Sequence, residues 1–150
     1  MKTLTQNVPF STGKELYTAN ERGMTRCSMS VTNMELERIR DKAFEACKEQ
    51  GVLLQEAAEG EVFDIMIRCI NPNSHEFDEA RAADDAPGSP GSAVAGNTVY
   101  LCTTYLFDEY CRNPFLMREM ARIDPLGYLN DFHKYMVVVL TKELLRAAAE

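Results

Sequence analysis

Glu61-Val62-Phe63-Asp64-Ile65-Met66-Ile67-Arg68-Cys69-Ile70 alternates: Phe63, Ile65, Ile67 and Cys69 fall on one face, and Asp64, Met66 and Arg68 on the other. A period of two, with branched and aromatic residues on its apolar side, predicts a half-buried strand over 61–70. Upstream, Leu36, Ile39, Ala43 and Cys47 recur at helical spacing between a Thr32/Glu35 capping box and Gly51, so a helix is expected over 33–50. Its opposite face carries Glu37, Arg38, Asp41, Lys42, Glu45, Lys48 and Glu49, a solvent side.

Downstream, Asn71-Pro72-Asn73-Ser74 ends the strand, and Ser74 is placed to cap a short polar helix over 75–83. The stretch 86–92 is too rich in Pro, Gly and Ser for regular structure and reads as a mobile surface loop. Residues 97–103 predict a second strand. Everything after it has a helical period, with Pro114 and Pro125 separating two short helices from a long last one capped by Asn130 or Asp131. The inner face of that helix would carry Phe132, Tyr135, Met136, Val139, Leu140 and Leu144. Val137-Val138-Val139 favours strand, but the flanking period and Ala147-Ala148-Ala149 outweigh it. The fold class expected is α+β: a helix-rich single domain over 32–150 with a small β-sheet and a long C-terminal helix. Residues 1–31, with Pro9, Gly13 and Gly23 among polar residues, read as an irregular N-terminal arm holding at most one short strand near 25–31.

At 150 residues, 45% hydrophobic and 26% charged, the chain has the composition of an ordinary folded domain that needs no metal or disulfide scaffold. The longest apolar run, Met136 to Leu140, is far short of the roughly 20 residues a spanning helix needs, so no membrane association is expected. No apolar stretch follows Met1 to Asn7, so no secretory signal is expected either. The net charge of −7 is concentrated between residues 35 and 85, which opposes direct nucleic-acid binding and suits a solvated face or a basic protein partner. Five cysteines, Cys27, Cys47, Cys69, Cys102 and Cys111, are odd in number and form no C-x-x-C pair. They predict reduced, mostly buried thiols and a cytoplasmic setting, with one bridge such as Cys102 to Cys111 left open.

Four constellations carry possible chemistry. His75 and Glu79 would stand one turn apart on the 75–83 helix, a pair of metal ligands that needs Asp84 or Asp85 as a third. His133, at the start of the last helix, could serve a thiolate at Cys102 or Cys111. Tyr105, Phe107, Tyr110, Phe115, Met117, Met120, Tyr128 and Phe132 crowd one region and combine packing with a potential partner surface. Arg112, Arg118 and Arg122 would suit an anionic ligand if they shared a pocket with Tyr105 or Tyr110. No phosphate loop, G-x-G-x-x-G or G-x-S-x-G occurs.

Val138-Val139-Leu140-Thr141-Lys142-Glu143-Leu144-Leu145-Arg146-Ala147 resembles the active helix of zinc metallopeptidases of the zincin type, in which an apolar run leads into H-E-x-x-H. In that family both His side chains bind zinc and the Glu activates water. The resemblance covers about a third of the chain, including 97–102, which looks like the edge strand that some fungal and bacterial members place before that helix. Glu143 matches the general base, but Lys142 and Arg146 stand at the ligand positions, and cations do not ligate zinc. The resemblance implies a fold of this type without its metal and without hydrolysis.

The function expected is that of a non-catalytic cytosolic protein-binding module: an assembly subunit, adaptor or inhibitor without a cofactor. Its partner would be another protein or a second copy of the chain. The contact surfaces would be the acidic 35–85 stretch and Tyr105, Phe107, Tyr110, Phe115, Met117 and Met120. The alternative is a small hydrolase, cysteine-based or metal-dependent.

Overall fold

A computed structural model describes residues 2–7, 33–56, 64–70, 75–85, 90–112 and 131–149. In chain order they form β1 (Lys2–Asn7), α1 (Asn33–Glu49), β2 (Leu54–Glu56), β3 (Ile65–Ile70) and α2 (His75–Ala83). There follow β4 (Ser92–Ala95), β5 (Thr98–Cys102), α3 (Thr103–Arg112) and α4 (Asp131–Ala148). The fold is the expected mixture of helix and a small sheet, closed by a long C-terminal helix. Among the described residues no helix is long and apolar enough to cross a membrane.

The strands line up as β2-β1-β3-β5-β4, parallel throughout except for the antiparallel β4–β5 pair. The alternation read from 61–70 sets the sheet's two faces. Ile65, Ile67 and Cys69 of β3, Val99 and Leu101 of β5 and Val94 of β4 join the main core with α1, α3 and α4. Ala93 and Cys102, one residue out of phase, turn to the other face and meet Phe77 and Ala80 of α2. Helices therefore cover both faces, as parallel pairing requires.

Each helix follows from its local sequence. α1 buries Leu36, Ile39, Ala43 and Cys47 and ends where Gly51 takes φ +86°. There Gly51 N–H donates to Lys48 O and Val52 N–H to Cys47 O, at 3.0 and 2.9 Å, which is the Schellman pattern. In α4 the valine run is tolerated because the helix is buried nearly all round, from Phe132 through Leu144. Its Cys47–Thr141 and Glu35–His133 contacts show that α1 and α4 run in the same direction. Burying each large apolar side chain of this layer contributes about 1.5–3 kcal/mol.

Three expectations need correction. Residues 2–7, read as part of an irregular arm, form β1, an interior strand paired on both sides. Leu4 is its only large apolar residue, so the periodicity that betrays a strand was missing, and backbone pairing supplies what the pattern lacks. Strand 97–103 is preceded by an unforeseen antiparallel partner, β4, joined to it through Gly96-Asn97. Gly96 sits at φ +62° in the first central position, the backbone that a II′ hairpin turn requires. Finally, 97–102 is no edge strand, because β5 lies between β3 and β4. The expected strand at 25–31, the Thr32 cap, most of the 86–92 loop and the second short helix before α4 lie outside the described residues.

Candidate functional site

The aromatic segment begins on α3. Leu106 and Phe107 face inward, and Phe107, 2% exposed, belongs to the core. Its ring stands edge-on to Phe132 at 5.1 Å, and Tyr110 bridges Phe132 and Tyr135 at 6.0 Å each. These rings fasten α3 to α4, an ordinary geometry for aromatic packing. Tyr135 donates its hydroxyl to Glu109 at 2.9 Å, and burial with that bond raises the phenol above its usual range. Tyr105 is different: it is 40% exposed, with its ring 5.8 Å from that of the buried Phe77 on α2. Of the contact residues expected from the sequence, Tyr105 presents surface, Tyr110 is half-buried and Phe107 is internal. Phe115, Met117 and Met120 lie outside the described residues.

The metal pair finds no third member in Asp84 or in the exposed Asp85. His75 and Glu79 are exposed one turn apart on α2, but Asp84 is buried with its carboxylate already engaged. Both its oxygens accept from Arg146, at 2.6 and 2.7 Å, and Oδ2 also accepts the Val94 N–H at 2.8 Å. Among the described residues no three His, Cys, Asp or Glu side chains gather to hold a metal ion.

His133 is buried, with Nδ1 3.0 Å from Glu35 Oε2 in the first turn of α1. That carboxylate favours a proton on Nδ1. Two thiols that the sequence did not single out are held in the protonated form: burial pushes Cys47 up to about 11 and Cys69 up to about 12, the latter with help from Cys102. Cys102 is wholly buried, whereas Cys111 is exposed; neither is bonded in a disulfide. Arg112 is exposed and pairs with Asp108 at 3.2 Å, while Arg118 and Arg122 lie outside the described residues.

On the helix that resembles the zincin motif, Glu143 is buried rather than open to a water. It accepts from Arg146 Nε and Nη2 at 3.2 and 2.8 Å. Arg146 thus spans two carboxylates, Asp84 and Glu143, and this contact raises the guanidinium further above its already high range. Sequence reasoning missed both this cluster and the Glu35–His133 pair, because Asp84 and Arg146, like Glu35 and His133, come from different elements. Compared with protein-family models, with curated proteins and with solved structures, the chain finds no match in any of the three.

Proposed function

We propose that the protein is a non-catalytic, cytoplasmic protein-binding module whose anchor is Tyr105. The observation that carries this is a large ring left 40% exposed on a helix whose opposite side, Leu106 and Phe107, is locked into the core. A ring held against Phe77 loses little conformational freedom on binding, and Tyr is among the residues that dominate interface energy. Exposed acids lie on α2, whose Phe77 meets the ring, at Asp78 and Glu79, and just past that helix at Asp85. Such a surface suits a partner with a basic rim around an apolar pocket.

The reading is tested by replacing Tyr105 with a photo-crosslinking phenylalanine analogue in host cells, with the same analogue at exposed Lys142 as control. A discrete adduct is expected at 105 and none at 142, with either another protein or a second copy of the chain. Tyr105→Ala should then weaken binding of that partner by about 2 kcal/mol or more while the variant still unfolds cooperatively, with a midpoint lowered only by the lost contact to Phe77. No discrete adduct at 105, or a partner held equally well by the alanine variant, would reject the reading.

A further inference from the structure

From β1 the chain passes through α1 to β2 on one side, and the next strand, β3, lies on the other side of β1. α1 packs on the main-core face, whereas α2, which follows β3, packs on the opposite face with Ala93 and Cys102. The parallel strands β1 and β3 therefore end side by side, with the helices that follow them on opposite faces. This is a topological switch point, and open sheets wound in this way bind small ligands in the crevice at the carboxyl ends of those strands. Arg68 stands at that end. It pairs with Asn7, the last residue of β1, and is out of phase with Ile67 and Cys69, so its side chain lies on the α2 face. Its Nε is 2.7 Å from Glu76 Oε1 in the first turn of α2. Yet this buried Nε–H has no hydrogen-bond partner, because the carboxylate is close but out of line. Among the described residues Glu76 is the only ionic partner of Arg68 and the terminal nitrogens donate to none, while the side chain is 26% exposed.

We propose that Arg68 anchors a binding site for a small molecule carrying a phosphate or carboxylate group, at the carboxyl ends of β1 and β3. Buried donors are nearly always satisfied, and an unused one on a guanidinium with further donors to spare calls for an acceptor. A phosphate or carboxylate meets that fork with two parallel bonds, a geometry that Lys does not reproduce. Glu76 balances the cation without satisfying Nε, so an incoming oxyanion competes with a charge contact and not with a formed hydrogen bond. The site owes nothing to Tyr105, so either reading can fail without the other.

The test is a titration of the full chain with inorganic phosphate and, separately, with malonate, at an ionic strength held constant with chloride and followed by NMR. The Arg68 Nε–H resonance and the amides of residues 68–70 and 75–77 should shift and saturate in the millimolar range. Saturation by phosphate alone assigns a phosphate ligand, by malonate alone a carboxylate, and by both the oxyanion they share. Arg68→Lys keeps the charge but loses the fork, and should weaken binding by roughly ten-fold. Glu76→Gln removes the competing carboxylate and should tighten binding by roughly three-fold or more. Arg112→Gln, at an exposed arginine of α3, should change nothing. The absence of a saturable shift at Arg68 with either anion refutes the site in the wild type, whatever the variants do. Binding that Arg68→Lys leaves intact, that Glu76→Gln weakens, or that Arg112→Gln reduces as much as Arg68→Lys does, refutes it equally.

Discussion

Arg146 shows how much one side chain can decide. Its guanidinium is 28% exposed, while the Asp84 and Glu143 side chains it joins are 2% and 5% exposed. A methionine there would take the guanidinium away from two carboxylates that lie largely out of water, and breaking a buried pair in this way costs about 3–5 kcal/mol. Urea unfolding should show Arg146→Met losing that much, and the Arg146→Met/Glu143→Gln double variant recovering part of it as one stranded charge is removed. A loss below about 1 kcal/mol, the range of exposed pairs, would mean that water reaches the cluster. Nothing of this is legible in the sequence. Asp84 and Arg146 stand 62 positions apart, and in the sequence Asp84 reads as a candidate metal ligand beyond a short helix and Arg146 as a cation on an amphipathic one.

At the scale of elements, legibility follows periodicity. Ile65 to Cys69, the α1 face ending at Gly51 and the α4 face from Phe132 are all recoverable, since each repeats an apolar residue at its own period. β1 and β4 are not, because Lys2-Thr3-Leu4-Thr5-Gln6-Asn7 and Ser92-Ala93-Val94-Ala95 are held by pairing and small-residue packing rather than by a strong apolar stripe. Gly91 lies at such a place. A Cβ there would stand 2.7 Å from the backbone N of Leu106 and from two of its side-chain carbons, so β4 and α3 approach as closely as only glycine allows. Gly91→Ala should therefore destabilise by about 1–3 kcal/mol, the usual cost of overpacking, with a matching fall in the urea midpoint. An unchanged midpoint would show that α3 is free to shift. The same proximity makes Gly91 informative about function: whatever Tyr105 touches, its aim depends on this junction.

For the whole molecule, the buried thiols tie the core to alkaline pH. Cys47 and Cys69 ionise at about 11 and about 12 when folded, against an ordinary value of 9.0 in an open chain. Below pH 9 both are protonated in either state, and their contribution is fully present. Between pH 9 and 11 the unfolded chain releases protons that the folded chain retains, so stability falls as pH rises, by up to about 1.4 kcal/mol per pH unit for each thiol. Tyr135, raised by burial and by Glu109, adds a loss of the same sign above pH 10. Guanidinium unfolding from pH 8.5 to 11 should give this decline in the wild type. Cys47→Ala and Cys69→Ala lower the starting stability by leaving small cavities, so the slope against pH is the decisive quantity. It should become shallower with each thiol removed and shallowest in the double variant. A slope indifferent to both substitutions would mean that the thiols ionise in the folded state, which requires water between α1, β3 and α4 where the structure places close-packed side chains.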